Sequence, residues 1–322
     1  MFVYSLHHSA NYVTNKRCNG LFIVARRLDF AARLVNYPHN TVCSIQINNL
    51  SMKIISANLN GIRAAARKGF YEWLVKVDAD VICLQELKAQ PDQIEGEPYH
   101  PPGYHTFFHA AQKKGYSGVG IYCKKKPDQV HVGLGEGFEN VDSEGRYIQA
   151  DFGNLSVASL YMPSGSSKEE RQEYKIDLMG RFETRLEEIA KSGRQAIICG
   201  DWNIVHKKRD IKNWRGNQKR SGFLPEERQW MDWLYGETEP EIPGAERGHA
   251  GFLDAFRLIN DEEEQFTWWS NRGQAWANNT GWRIDYHVIT ENLRDKVIVG
   301  SDLIYKEERF SDHAPLVIEY DI

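Results

Sequence analysis

A chain of 322 residues with 41% hydrophobic and 26% charged side chains can bury one large α/β core or two modest ones, and no apolar stretch approaches the roughly 20 residues that cross a bilayer. The net charge of −4 excludes a polycation that grips nucleic acid by bulk electrostatics, while leaving local basic patches open. Five cysteines, an odd number without CxxC spacing, exclude a disulfide framework and a zinc ribbon; Cys83, Cys123 and Cys199 stand in apolar runs and read as buried thiols in a reducing compartment.

The first forty residues contain several Arg and one acidic residue, Asp29. That is the composition of an amphipathic presequence, or of codons upstream of a true start at Met52. Residues 1–51 are therefore expected to be an extension, disordered or absent from the native product, with one domain spanning 52–322.

From there strands and helices alternate. Residues 53–57 (KIISA), 81–84 (VICL) and 118–123 (GVGIYC) read as strands, and 70–77 (FYEWLVKV) has helical spacing. Residues 147–152 and 155–160 flank a Gly153-Asn154 turn. Strands joined so tightly are antiparallel, so the sheets are mixed. Ser167 with Glu170 forms a capping box for a long helix that stops at Gly193. Its stripe of Tyr174, Leu178, Phe182, Leu186 and Ile189 is core. Residues 196–199 (AIIC) form a strand, 225–235 a helix opened by Pro225, and 284–289 and 316–320 the last strands. The loops at 133–145 and 207–222 are long, which in compact domains marks function or mobility.

The ends of these strands share a chemistry. KIISA runs into Asn58-Leu59-Asn60-Gly61, VICL into Gln85-Glu86, residues 155–160 into Tyr161, and AIIC into Gly200-Asp201-Trp202-Asn203; Asp285 lies in an apolar context, and Asp312-His313 precede the last strand. Each alone is an ordinary turn or cap. Turns do not, however, require Glu after an oily strand or Asp-His before one.

Taken in order, NLNG, LQE, YMPSG, GDWN, GWRIDY and SDHAP resemble the exonuclease III family of apurinic/apyrimidinic endonucleases, within the endonuclease/exonuclease/phosphatase superfamily. The resemblance covers residues 52–322; GWRIDY and FLPEERQW point to its DNA-repair branch. It implies a four-layer α/β sandwich, two mixed β-sheets flanked by helices, with the site at one edge. It also implies a Mg²⁺-dependent hydrolase, with Mn²⁺ as a substitute, cutting double-stranded DNA 5′ to abasic sites and leaving a 3′-OH. The alternative within the family is a 3′-phosphatase or 3′–5′ exonuclease acting on blocked 3′ ends through the same centre. A phosphoinositide or sphingolipid phosphodiesterase would share LQE, GDWN and SDHAP but gives no reason for GWRIDY. A non-catalytic DNA-binding scaffold would have no need of an intact site. A cytoplasmic monomer is the expected state.

Phosphodiester hydrolysis needs a positioned water, charge on the phosphoryl oxygens and help for the leaving alkoxide. Glu86 is the leading metal ligand, supported by Asp312 and by Asn58 or Asn60. Asp201 orients or deprotonates water, Asn203 and Asn58 donate to phosphate oxygens, and Tyr161 assists the phosphate or the leaving group. His313 meets the phosphate, and by resemblance Asp285 fixes its protonation. The bland reading has His313 capping the last strand and Asp285 paired with Arg283. By resemblance Trp268, Trp282 and Ile284 line a pocket for a flipped-out abasic sugar, and Gly222 leaves room for it. Arg63, Lys113, Lys207, Lys219 and Arg220 lie in basic loops suited to the DNA backbone. Two departures stand out: Asn60 replaces the Asp of some relatives, and the MPSGSS loop lacks their Asn and Arg.

Overall fold

A computed structural model describes residues 51–236 and 248–322, together with Ile242 and the two short strands Arg17–Cys18 and Leu21–Phe22. The chain divides into two compact units, Met1–Asn49 and Leu50–Ile322. The extension expected at 1–51 lies outside the described residues, except for those two strands and Ser51.

The second unit is built on two six-stranded sheets. In the first, the order is Leu303–Ile304, Leu316–Asp321, Ser51–Asn58, Val81–Gln85, Val119–Cys123, His105–His109. The second runs Phe252–Asp254, Asp285–Thr290, Gln195–Asp201, Leu155–Tyr161, Tyr147–Phe152, Gln129–Val132. Each holds one parallel pair, 51–58 with 81–85 and 155–161 with 195–201, among antiparallel neighbours. Both sheets are thus mixed, and the strands around the Gly153-Asn154 turn are antiparallel.

Period-two alternation explains the layering. Ile54, Val81 and Cys83 meet Val157, Ile197 and Cys199 between the sheets. Their neighbours Ile55, Ile82 and Leu84 face outward onto Phe70, Trp73 and Leu74 of the helix Phe70–Val77. On the far side Leu160 and Ile198 meet Leu178, Phe182 and Leu186 of the helix Glu169–Lys191, with Trp230 and Met231 of the helix Pro225–Tyr235. Strands buried on both faces read as continuous apolar runs, and the result is the four-layer sandwich.

Three local details differ from the sequence reading. The long helix begins at Glu169 with Lys168 at the N-cap and no side-chain cap, so Ser167 lies one residue outside; Glu169 and Glu170 in the first turn face the helix dipole instead. The loop after Asp201 carries a 3₁₀ turn, Lys208–Asp210, and a short helix, Trp214–Asn217. The edge strands His105–His109 and Gln129–Val132 are only partly buried, so neither gives a strong apolar pattern. The helix does stop at Gly193, which takes φ +74 just past Ser192. Among the described residues no helix is long and apolar enough to cross a membrane, and Cys83, Cys123 and Cys199 are free and buried.

Candidate active site

Strand register assembles the site. Tyr161, Asp201 and Asp285 are neighbours in one row across the second sheet: Asp201 pairs with Tyr161 on its parallel side and with Asp285 on its antiparallel side. Asn58 and Gln85 are partners at the corresponding end of the first sheet, and Glu86 follows. The two sheet ends meet through Asn58, whose Nδ2 donates to Glu86 Oε1 and to Asp201 Oδ2, each at 2.9 Å. Asn58 Oδ1 accepts from the Asn60 backbone N–H at 3.0 Å. Its side chain is therefore fully engaged in tying the carboxylates together, which leaves no donor hydrogen for a phosphate.

The turns that follow are held in an uncommon backbone conformation. Asn60, Glu86, Lys88 and Asn203 all take positive φ, between 46° and 53°, which costs a non-glycine residue about 1–2 kcal/mol. Cross-connections hold the first three: Leu59 N–H donates to Gln85 O, Gly61 N–H to Glu86 O and Leu87 N–H to Gly118 O. Such strain clusters where surrounding structure fixes a functional loop.

His313 completes the centre. Its Nδ1 lies 2.9 Å from Asp285 Oδ2 and its Nε2 3.9 Å from Asp201 Oδ2, with all three residues buried. Arg283 is engaged elsewhere, with Asp210 and Asp254, so the bland Asp285–Arg283 pairing is absent. Burial alone would lower the His313 pKa, but Asp285, Asp201 and Asp312 outweigh it and raise it to about 10. Asp201 is pushed up to about 8 by burial, partly countered by His313 and reinforced by Asp285 and Glu86. Burial, with Glu86 and Asp201 nearby, pushes the Tyr161 phenol well above its usual range, which makes it a neutral hydrogen-bond donor.

The acidic side of the site is an oxygen cradle. Glu86, Asn60 and Asp312 converge there: Asn60 Nδ2 donates to Asp312 Oδ1 at 2.8 Å. The Lys88 ammonium stands 2.6 Å from Glu86 Oε2 and 2.5 Å from Asn60 Oδ1. A cation thus already fits among these hard oxygen donors, the ligand type that Mg²⁺ takes. Glu86, Asp201 and His313 also present ligand atoms within 4.8 Å of one another. An imidazolium donates at both nitrogens and ligates nothing, so the carboxylates are the better part of that set.

The cradle residues Asn60, Glu86 and Asp312 line a cavity of about 860 Å³, together with Tyr161, Asp201, Asn203 and His313. Trp268, Trp282 and Ile284 form one wall, with the two indoles edge to face at 5.8 Å and Trp268 Nε1 donating to Asp312 Oδ2 at 3.2 Å. Trp268 also bridges to His313 through a backbone pair. Gly222 lines the cavity at φ +91; a Cβ there would stand 3.0 Å from the Trp282 ring and 3.1 Å from Asn203 O. Close approach and backbone angle thus require glycine, independently of any space for a sugar. Lys219 and Arg220 line the rim with residues 164–168. Arg63 and Lys113 are exposed and lie outside that lining. Lys207 is bound internally, 2.8 Å from the buried Asp232.

Four residues escaped the sequence reading. Lys88 follows LQE by two positions in an ordinary-looking loop. Arg146 is buried with its guanidinium 4.7 Å from the Tyr161 ring and donates to Tyr161 O at 2.9 Å. Lys175 and Glu227, both fully buried, form an ion pair of 2.7 Å under Asn203. Lys175 had a readable signal: it stands three residues before Leu178 and seven before Phe182, on the helix's buried face.

A model of the endonuclease/exonuclease/phosphatase family matches residues 55–313. The chain belongs to that family. An exodeoxyribonuclease of Bacillus subtilis is 36% identical over 273 residues, covering 84% of this chain and all of its own length. A DNA-(apurinic or apyrimidinic site) endonuclease of Dictyostelium discoideum is 33% identical over 291 residues, 87% of this chain and 75% of that protein. Among solved structures, an AP endonuclease from Archaeoglobus fulgidus superposes with a TM-score of 0.71 at 25% identity, over 84% of this chain and all of its own. The strand row and the cradle lie within the matched segment of this endonuclease/exonuclease/phosphatase protein.

Proposed function

We propose that residues 52–322 are the catalytic domain of a Mg²⁺-dependent DNA repair endonuclease that hydrolyses the phosphodiester bond 5′ to an abasic site in duplex DNA. The observation that carries this reading is the Tyr161–Asp201–Asp285 row, with His313 on Asp285, at a cavity that the oxygen cradle and the indole wall both line. Relatives named as exodeoxyribonuclease and as apurinic or apyrimidinic site endonuclease support it.

Each residue has a task that its position allows. Asp201, its Oδ1 held by the Asn203 N–H at 2.9 Å, orients the water that attacks phosphorus. One Asn203 Nδ2 hydrogen goes to Met162 O; the other is free for a phosphoryl oxygen. The His313 imidazolium meets the charge that grows on the phosphoryl group, and Asp285 keeps it protonated and aimed. Tyr161 donates toward the departing 3′ oxygen. Glu86 and Asp312, with Asn60, would hold the ion, which supplies Lewis-acid stabilisation of the phosphoryl and leaving oxygens; Mn²⁺ is a fitting substitute. Trp268, Trp282 and Ile284 take the extrahelical sugar, while Lys219 and Arg220, with Arg63 and Lys113 farther out, follow the backbone. A cytoplasmic monomer acting on double-stranded DNA completes the reading.

A single experiment tests the choice of substrate: matched duplexes carrying an abasic site, a nicked 3′-phosphate or neither. Incision only at the abasic site is the expected result. Removal of the 3′-phosphate without incision would assign the protein to end cleaning instead.

A further inference from the structure

Beneath the loop that carries Asn203 lies a charged pair that the proposed chemistry does not use. Lys175 and Glu227 come from different helices, and neither side chain has any exposure to solvent. Lys175 Nζ donates to Glu227 Oε1 and to the Asn203 backbone carbonyl, both at 2.7 Å. Glu227 Oε2 in turn accepts the Gly222 N–H at 2.6 Å and the Leu224 N–H at 2.9 Å, and Gln172 Nε2 reaches Oε1 at 3.1 Å. Val205 N–H donates to Gly222 O at 2.7 Å, so the segments 203–205 and 222–224 are bound both to each other and to the pair.

Stability does not account for this arrangement. A buried ion pair is costly to desolvate, and well-packed apolar residues of similar size usually serve as well or better. The contacts instead go to a particular place. Asn203 holds a left-handed backbone, φ 52; its carbonyl turns inward to Lys175, its backbone N–H donates to Asp201 Oδ1 and its side-chain Nδ2 to Met162 O. At Gly222, the other end of the pair's reach, a Cβ would stand 3.0 Å from the Trp282 ring.

We infer that Lys175 and Glu227 are positioning residues, which lock the strained Asn203 turn and the Gly222 wall in one register so that the Asn203 amide and the indole wall face the substrate together. The inference rests on the endonuclease reading for its catalytic consequence; the immobilisation of the two segments does not. Displacements near 1 Å at a reacting centre can cost about 10²-fold in rate, so loosening this turn is expected to lower kcat while leaving KM within about threefold.

The test is a double-mutant cycle on an abasic-site duplex under saturating Mg²⁺. Lys175→Met/Glu227→Gln removes both charges without stranding either one, and keeps an oxygen for the Gly222 N–H. It is measured alone and combined with Asn203→Ala, with Lys175→Arg as a conservative control. If the pair acts through Asn203 as well as through the Gly222 wall, the charge-removing change costs about 10–100-fold in kcat in the wild-type background and at least about fivefold less than that in the Asn203→Ala background, with partial recovery in Lys175→Arg. Losses that multiply in the combined variant would overturn the inference. Amide hydrogen exchange of residues 203–205 and 222–224 gives a readout without turnover. It should accelerate at least tenfold in the charge-free variant while the strand at 195–201 stays protected, and unchanged protection would also overturn the inference. A wild-type protein that cuts no abasic duplex would defeat the endonuclease reading alone, and exchange would still decide the positioning role.

Discussion

Asp201 and Asp285 are direct partners across two antiparallel strands, two buried carboxylates side by side with different companions. Asp201 is held by Asn58 and by the Asn203 backbone, and Asp285 by His313. In the proposed reaction one carboxylate handles water and the other charges an imidazole, a division of labour made by environment and not by residue type.

That division predicts the behaviour of Asp285→Asn. The amide keeps the shape and removes the charge that stabilises the His313 imidazolium, so kcat should fall by about 10²–10³-fold with little change in KM. Steady-state kinetics on an abasic duplex checks it. Retention of more than a tenth of wild-type kcat would mean that His313 does not need its partner.

Asp210 predicts a stability effect away from the chemistry. It is fully buried between Arg283 and Arg257. Burial would raise its carboxyl pKa, but the two guanidinium groups outweigh that and hold it far below the usual range. Asp210→Asn leaves the buried Arg283 short of counter-charge and should destabilise by about 3–5 kcal/mol, read as a shift in the urea midpoint at unchanged m-value. Because Arg283 lies between Trp282 and Ile284, the variant should also loosen the indole wall.

His287 predicts a pH dependence. It is fully buried, stacked on Tyr320 with Nδ1 3.0 Å from the phenol oxygen. Burial lowers its pKa from the usual 6.5 to about 3. The unfolded chain therefore takes a proton below pH 6.5 that the folded protein refuses until about pH 3. The stability linked to this residue is complete above 6.5 and falls between 6.5 and 3, by at most about 1.4 kcal/mol per pH unit. Denaturation of wild type and His287→Gln at pH 7.5 and 5.0 should show a smaller acid loss in the variant. Equal losses would mean that the imidazole is protonated in place.

Gly222→Ala tests the close approach on the cavity wall. At φ +91, with a Cβ 3.0 Å from the Trp282 ring, alanine should cost about 1–3 kcal/mol in strain and displace the indole. Incision at abasic sites should weaken more than 3′-phosphate removal, compared on matched duplexes. Equal effects on both substrates would remove Gly222 from substrate choice.

The sequence was most legible where both faces of a strand are buried. VICL and AIIC announce central strands because nothing polar interrupts them, KIISA does so with Ser56 alone inside it, and the polar residues at their ends then stand out. Edge strands such as Gln129–Val132 are only partly buried and carry no such pattern. Residue types at the site could be read, but partnerships could not. Asn58 looked like a ligand or phosphate donor, and only the meeting of the two sheets shows it bound to Glu86 and Asp201. Lys207 and Lys219 look alike in a basic loop, yet one is bound to Asp232 and the other lines the cavity. Long-range pairing of charges depends on tertiary packing, which local pattern does not encode.

The most direct measurement is product mapping on a 5′-labelled duplex with a single abasic site, using wild type and Asp201→Asn, with EDTA and then with added Mg²⁺. One cut immediately 5′ to the lesion is expected, with an extendable 3′-OH end, no product in EDTA, recovery on adding Mg²⁺, and a loss of about 10³-fold or more in Asp201→Asn. Cleavage that persists in EDTA, or that survives in Asp201→Asn, would contradict the proposed function.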